Sequence, residues 1–493
     1  MFQAADPEKE IGNRNRARSR ASRSGLIGLP AQDYSAVLMD ISHDTIAAIA
    51  TAPGMSALAV VRISGPGSLA LADGVFSGAG QSPSMWPGNT FHRGLIIGKD
   101  GAVLDEVILL VMRGPKSYTR EDVVEIQCHG GARSAARIMK RVLDMGARLA
   151  QPGEFTRRAF LNGRIDLAQA ESIMDLISAA TDRAFSAALE QLNGRLSREI
   201  NRIYEQVLSS CADIEASLDF LDDELPQEVG KEIIKNIQAS IKEVELLAQT
   251  WNEGHLVRDG ALVVISGRPN AGKSTLMNAL LGKDRAIVSH IPGTTRDTIE
   301  EQFVIEDVMI RLVDTAGLGD SSCSIEQDGV RRARALMSNS DLMLYIVDAS
   351  QAMHPDDMGN IVNQDPGKTV IILNKSDLPS KIDPDFGASF SRITTSLING
   401  QGLDAVKKAI VEKLRIGLCH EPMTIVSERH RQKLNKASDA LKQGIELILS
   451  GDEFLAPAAS YLREAAESLA EITGRRYYEE MLDNVFSRFC IGK

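Results

Sequence analysis

Nothing in this sequence approaches the run of about 18 apolar residues that a membrane-spanning helix needs, so no transmembrane segment is expected. Cysteine is sparse and scattered: Cys128, Cys211, Cys323, Cys419 and Cys490 form no C-x-x-C pair. That spacing argues against a disulfide framework or a zinc site and for a reducing compartment. Positive charge is also in short supply, with a formal net charge of −11. A chain this acidic does not hold nucleic acid tightly through a broad basic surface, so any RNA contact needs a local patch or a basic partner protein. The dinucleotide-binding fingerprint G-x-G-x-x-G is missing too.

What is present has the balance of a water-soluble protein, 43% hydrophobic and 25% charged. The 493 residues are enough for about three domains. Residues 1–43 stand apart: Arg14, Arg16, Arg18, Arg20 and Arg23 lie among Ser, Ala, Asn and Gly. They read as a disordered leader. The alternative is a mitochondrial presequence over residues 1–38, against which Asp6, Glu8 and Glu10 precede the arginines.

From residue 44 to 163 the pattern is α+β. Ala59–Ile63, Val107–Met112 and Val123–Cys128 read as strands, and Ala132–Met145 as a helix. Residues 164–258 turn helical, with Leu167, Ala170, Ile173, Met174 and Ile177 forming one stripe. The segment Asp222-Asp223-Glu224-Leu225-Pro226 breaks two long helical stretches. Residues 259–417 form an α/β unit, and 418–493 are helical again over Arg431–Leu449 and Ala459–Arg488. Neither helical block is large enough for a good core of its own. The expected fold class is therefore multidomain α/β plus all-α, with one helical domain interrupted by an inserted Ras-like P-loop GTPase domain. Two separate helical domains are the alternative.

The α/β unit carries four motifs in order. Gly267-Arg268-Pro269-Asn270-Ala271-Gly272-Lys273-Ser274 lies between the apolar run Ala261–Ile265 and a helix at Leu276–Leu281. This is a strand, a glycine-rich turn and a helix N-terminus, whose N–H groups cradle phosphates. Lys273 is expected on the β/γ-phosphates and Ser274 on Mg²⁺, with Asn270, Ala271, Gly272 and Thr275 completing the loop. The switch segment Ser289, His290, Ile291, Pro292, Gly293, Thr294 and Thr295 supplies Thr295 as a second Mg²⁺ ligand. Asp314-Thr315-Ala316-Gly317 ends a strand, with Asp314 on Mg²⁺ through water and the Gly317 N–H sensing the γ-phosphate. Asn374, Lys375 and Asp377 form N-K-x-D, in which Asp377 accepts two hydrogen bonds that guanine supplies and adenine cannot. The Ser-Ala pair usual in the last guanine loop stands here as Ser396-Leu397.

Hydrolysis needs a water-orienting group, and Leu318 cannot provide it. Glu326 is the candidate, although alone it reads as readily as a solvated loop acid. No residue stands out as an arginine finger. Asn270, with backbone carbonyls of the switch loop, offers a site for a monovalent cation in its place.

Outside this unit stand Ser117-Tyr118-Thr119-Arg120-Glu121-Asp122, Pro152-Gly153-Glu154-Phe155-Thr156, the run Phe160–Glu171, and Arg488-Phe489-Cys490-Ile491-Gly492-Lys493. With these, the chain closely resembles the MnmE/TrmE family of tRNA-modification GTPases from about Asp44 to Lys493. The resemblance implies K⁺ at Asn270, Ser289, Ile291 and Thr294, Mg²⁺ at Ser274 and Thr295, Glu326 as the water-positioning residue, and G-domain pairing across a homodimer. It implies that residues 44–163 are a folate-binding-type and dimerisation domain taking a 5-formyl or 5,10-methylene tetrahydrofolate at Arg62, Glu125, Arg164 and Lys493. Arg164 stands where the family often has Lys, which keeps the charge and changes its geometry. Read without the family, Glu125 is an ordinary strand acid. Cys490 four from the end fits a prenylation signal poorly, given Gly492 and Lys493. The resemblance makes it functionally important and leaves its chemical role open.

The function implied is the GTP-hydrolysing part of a complex that adds a carboxymethylaminomethyl or aminomethyl group to C5 of the wobble uridine of certain tRNAs. An FAD-dependent subunit of the MnmG/GidA type is the implied partner, consistent with the missing dinucleotide fingerprint. The location expected is cytoplasmic, without membrane attachment, or mitochondrial if the leader is a presequence. The rival reading is a regulatory GTPase of the ribosome-assembly class.

Overall fold

Alternating burial builds the first sheet. In the strand Leu58–Ser64 (β2), Ala59, Val61 and Ile63 are buried while Arg62 faces the other way. The strand Val123–His129 (β6) repeats this with Val124, Ile126 and Cys128 inward and Glu125 and Gln127 on the opposite face. The two strands pair antiparallel with Arg62 directly across from Glu125, so opposite charges become cross-strand neighbours.

The computed structural model describes residues 44–219, 227–282, 300–314, 339–415 and 426–493. The leader 1–43, the polar break at 222–226 and residues 418–425 lie outside the described residues. Five further strands complete the first sheet: β1 (Ile46–Ile49), β3 (Phe76–Ser77), β4 (Thr90–Ile97), β5 (Val103–Met112) and β7 (Arg148–Leu149). Their order is β3-β4-β5-β6-β2-β1-β7. Helices α1 (Ser68–Val75) and α2 (Ala132–Asp144) cover the apolar face, the latter through Ala135, Ile138, Met139 and Val142 at helical spacing. Beyond the sheet, α3 (Glu154–Leu161) leads to α4 (Leu167–Ser178).

The second sheet reads β13-β12-β11-β8-β10-β9, with β8 Ala261–Gly267, β9 Glu300–Ile305, β10 Val308–Asp314, β11 Leu342–Asp348, β12 Thr369–Asn374 and β13 Ser391–Thr394. All of its pairings are parallel except β9 with β10. The central strands β8, β11 and β12 are nearly continuous apolar runs, as expected of a parallel sheet buried on both faces.

The helical unit draws on both sides of this α/β insertion. Helices α5 (Asp182–Leu192), α6 (Arg195–Asp219), α7 (Gln227–Gln249) and α8 (Trp251–Arg258) precede the second sheet. The short helices α9 (Lys273–Leu281), α10 (Pro355–Val362) and α11 (Leu403–Arg415) belong to it, and α12 (Glu428–Ser450), α13 (Leu455–Thr473) and α14 (Glu479–Phe486) follow. Leu196, Ile200, Ile203, Ile233 and Ile237 from before the insertion share one core with Leu434, Leu441, Leu462 and Leu469 from after it.

Two readings of the sequence are corrected here. The helix expected over Ala459–Arg488 breaks at Gly474, which takes φ 75° as the C-cap of α13, and resumes only at Glu479. The apolar stripe of α4 also ends early. Leu167, Ala170 and Ile173 are buried, but Ile177 is 41% exposed because α4 stops one residue later.

Helix α4 joins the insertion to the rest of the chain. Glu171 binds Arg429 (2.7 Å) and the fully buried His430 (2.7 Å) at the start of α12, where the chain leaves the α/β unit. One turn further along α4, Asp175 holds Arg258 (2.9 Å) at the end of α8, where the chain approaches that unit. Burial pushes the Glu171 carboxyl up, but Arg429 and His430 outweigh it and hold the group well below the usual range.

Candidate functional site

The nucleotide loop sits at the carboxyl ends of the parallel strands, where open α/β sheets place their ligands. Gly267 takes φ 143°, and a Cβ there would stand 2.3 Å from the Ile346 carbonyl oxygen. Gly272 takes φ 114°, and its Cβ would stand 2.3 Å from Asn374 Nδ2. Both positions require glycine, and Asn270 between them also lies at positive φ (64°). Lys273 folds back over the loop and donates to the carbonyls of Gly267 and Arg268, each at 2.9 Å. Burial pulls its ammonium below the ordinary range, against the nearby charge of Asp314. Ser274 Oγ donates to Asp314 Oδ2 at 3.4 Å, so the two oxygens expected around Mg²⁺ converge.

The base end is braced across motifs. Asn374 Nδ2 donates to the Ala271 carbonyl (2.9 Å), tying N-K-x-D to the phosphate loop. Lys375, at φ 66°, pairs with Asp348 (2.6 Å), and Ser396 Oγ donates to Asp377 Oδ1 (2.6 Å). Leu397 turns its side chain into the core, 8% exposed, and gives its N–H to Asn374 Oδ1. Its bulk therefore lies away from the face that would meet the base. Ser289, His290, Ile291, Pro292, Gly293, Thr294, Thr295, Thr315, Ala316, Gly317 and Glu326 lie outside the described residues.

A second cluster forms on the polar face of the first sheet. Arg62 Nε donates to Glu125 Oε1 at 2.8 Å, both side chains being less than one-fifth exposed. The same guanidinium donates to the Gly492 carbonyl at 3.0 Å, across 430 residues of sequence. Gly492 takes φ 95°, and a Cβ would meet Ala50 Cα at 2.8 Å. Only glycine lets the tail run this close to β1. The half-buried Cys490 is anchored through its carbonyl, which accepts from the Gly153 N–H at 3.4 Å. Burial and the Arg62 charge pull the Lys493 ammonium below its ordinary range, while Cys490 and Glu125 act in the other direction. Arg164 reaches the same place from α3's end. Its guanidinium lies 4.7 Å over the Tyr118 ring and donates to the Tyr118 carbonyl at 3.1 Å. Arg62 lies 5.4 Å from the same ring. The structure thus gathers Arg62, Glu125, Arg164 and Lys493 around Tyr118, with Cys490 adjoining.

Residues that the sequence reading left without a role hold this cluster. Arg158 is 1% exposed and pairs with Asp44 (2.5 Å), Glu154 (3.1 Å) and Glu121 (3.2 Å). Arg148 adds bonds to Asp44 and Glu154, each at 2.6 Å. Burial pushes the Glu154 carboxyl up, but Arg148, the Gln151 N–H and Arg158 prevail and hold it low. Tyr118 Oη meets Thr156 Oγ1 at 2.8 Å, and Phe155 is fully buried against Ile46 and Ala48. The two segments Ser117–Asp122 and Pro152–Thr156 are therefore the frame of the tail site. The signal available in sequence was their density of charged and small residues.

Among the described residues no group of three or more His, Cys, Asp or Glu side chains could hold a metal, and no helix is long and apolar enough to cross a membrane. A family model described as the MnmE helical domain matches residues 167–490, and one described as the GTP-binding protein TrmE N-terminus matches residues 45–164. A protein of Chlorobaculum tepidum named tRNA modification GTPase MnmE is 43% identical over 463 residues, covering 91% of this chain and 97% of that protein. Proteins of the same name from Geobacillus thermodenitrificans and Alkaliphilus metalliredigens are 41% and 40% identical, each over 91% of this chain and 99% of theirs.

Proposed function

The chain belongs to the MnmE/TrmE family of tRNA modification GTPases, and from that premise we propose how its two sites divide the work. It is a GTP hydrolase, the GTPase component of wobble-uridine modification, which leaves the ribosome-assembly reading without support. The finer reading is that it adds a carboxymethylaminomethyl or aminomethyl group to C5 of that uridine. It does so as a homodimer, with an FAD-dependent MnmG/GidA-type subunit and in the cytoplasm.

At the nucleotide site Lys273 exchanges the Gly267 and Arg268 carbonyls for phosphate oxygens, so bound GTP replaces an existing set of acceptors. Ser274 and Thr295 would hold Mg²⁺, with Asp314, which accepts from Ser274, supporting it through water. Asn270, Ser289, Ile291 and Thr294 would hold K⁺, which would supply the positive charge that an arginine finger gives elsewhere. Glu326 orients the attacking water. Asp377, fixed by Ser396, selects guanine.

The chemistry of the tail cluster fits a folate. Arg62, Arg164 and Lys493 set three cations against the single carboxylate of Glu125, a surplus suited to a glutamate tail. A tetrahydrofolate of the 5-formyl or 5,10-methylene type supplies the carbon when bound. Glu125 accepts from its aminopterin edge, Arg164 and Lys493 face its carboxylates, and Arg62 keeps Glu125 and the tail in register. Cys490 belongs to the reacting end of this site, beside the Lys493 amine.

The observation that carries this reading is the Arg62 bridge, which joins the Glu125 strand to the tail containing Cys490. Mass spectrometry of wobble uridines in a deletion strain tests it: C5 modification is expected to vanish, and unchanged modification would refute it. For K⁺, GTP turnover in KCl is expected to exceed that in NaCl, and equal rates would remove the cation.

A further inference from the structure

An acidic chain that acts on tRNA needs a local place to receive it, and one candidate stands beside the tail cluster. An open cavity of about 410 Å³ lies between the α3–α4 turn and the break after α13, with Arg164, Gln169, Thr473 and Tyr477 on its wall. Thr473 is 3% exposed, yet its Oγ1 has no hydrogen-bond partner. A buried hydroxyl left in that state loses about 1–3 kcal/mol unless something supplies a partner. Tyr477 is half-buried and packs edge-on against Phe160 at 5.3 Å. Asp166 is the sole carboxylate on the wall, and it is committed to the N-cap of α4, accepting from the Gln169 N–H at 2.8 Å.

The rim is basic. Exposed Arg120, Arg164 and Arg198 each bond only a backbone carbonyl, of Asn162 (2.9 Å), Tyr118 (3.1 Å) and Asn193 (2.8 Å), and none has a carboxylate partner among the described residues. Their neighbours Arg195 and Arg475 are neutralised by Glu190 and Glu205. Arg164 lines the cavity, while Arg120 and Arg198 stand just outside its lining, beside Gly163 and near Gln169. A Cβ on Gly163 would stand 3.6 Å from Arg120 Nη1, and one on Gly194 would stand 3.3 Å from Gln169 Nε2 and 3.6 Å from Arg198 Nη1.

We propose that this cavity receives an unstacked nucleotide of the tRNA loop, with Arg120 and Arg198 on the flanking phosphates. Each guanidinium keeps several free N–H donors in a fork that matches phosphate. The Tyr477 ring offers the flat surface on which splayed bases of single-stranded RNA are held. Arg164 joins this wall to the tail cluster through Tyr118. The inference rests on the tRNA-modification reading and adds where the RNA sits.

The test is tRNA binding by the full chain, followed by fluorescence anisotropy across a KCl series. R120Q and R198Q are each expected to weaken binding about 5–10-fold and lower the salt slope by about one. R195Q, whose parent residue is already ion-paired, is expected to bind as the wild type does. Y477L, which keeps an apolar side chain against Phe160, is expected to lose affinity at unchanged slope. The proposal falls if an R120Q/R198Q variant with wild-type melting keeps wild-type affinity and slope, or if R195Q costs as much as R198Q. Loss of affinity for the FAD-dependent subunit with tRNA binding intact would assign the patch to a protein and overturn it. So would a wild-type chain with no measurable tRNA affinity. The wobble-uridine spectra decide the modification reading independently.

Discussion

The two sites keep their cations in opposite ways. At the nucleotide site Lys273 rests on two carbonyls of its own loop, five and six residues away in sequence. At the tail site Arg62 is clamped by a carboxylate 63 residues away and a carbonyl 430 residues away. The first arrangement is local and exchangeable, since a stronger acceptor can replace two neutral carbonyls. The second is a keystone, because removing it frees two distant segments at once. A nucleotide site has to trade partners every cycle, whereas a site that clamps the C-terminal segment to the sheet gains from rigidity.

Substitutions that hit one site should spare the other, and the largest effect tests the frame of the tail site. R158M leaves Asp44, Glu121 and Glu154 without their shared cation and should cost about 3–5 kcal/mol in denaturant unfolding. GTP turnover should survive wherever the chain stays folded, and a parallel loss of turnover would show that the sites are not independent. K273A should lower GTP turnover at least about 100-fold while the N-terminal sheet melts as before. D377A should weaken GTP binding by about 1.5–3 kcal/mol in calorimetry, the worth of hydrogen bonds to a charged group. G492A forces a Cβ against Ala50 Cα. It should cost about 1 kcal/mol or slightly more, and reduce wobble modification without changing GTP hydrolysis.

The smallest effect is pH-dependent. In the folded chain burial raises Asp44, Glu154 and Glu171, but their arginine partners outweigh it and hold all three below their ordinary values. A carboxylate held low contributes stability above its unfolded pKa of about 4, and that contribution drains as the pH falls through the lower folded value. Acid titration followed by circular dichroism should therefore show loss of structure beginning below about pH 4. R158M should flatten that dependence, and an unchanged acid profile in the variant would argue against the paired carboxylates as its source.

The nucleotide site was legible in sequence because its chemistry is local. Lys273, Asp314 and Asn374 each stand in a contiguous motif at the end of an apolar strand, and the fold brings strand ends together by rule. The tail site was legible only through family resemblance. Nothing in the spacing of Arg62, Glu125 and Gly492 says that they meet, since a cross-strand register and a returning tail set the contact. Arg158 was missed for a related reason, as a charged residue in a helix reads as solvated until its three carboxylates are seen around it. The break at Gly474 was missed because the helical patterns up to Glu471 and from Glu479 read as one helix, although Ile472, Thr473, Tyr477 and Tyr478 between them are weak helix formers.

The Arg62 bridge also fixes an order of manufacture. The N-terminal sheet leaves the ribosome with Arg62 and Glu125 already able to pair, while the Gly492 carbonyl is 430 residues behind. At ordinary translation speeds that gap lasts roughly 20–90 s. Throughout it the nascent chain carries a polar sheet face lacking its tail, and the α/β insertion finishes synthesis before the tail site closes. A chain cut short in the helices that follow the insertion, from Glu428 onward, still carries the nucleotide loop, but its N-terminal domain never receives Cys490. The Arg62 bridge is thus the contact that only a finished chain can make.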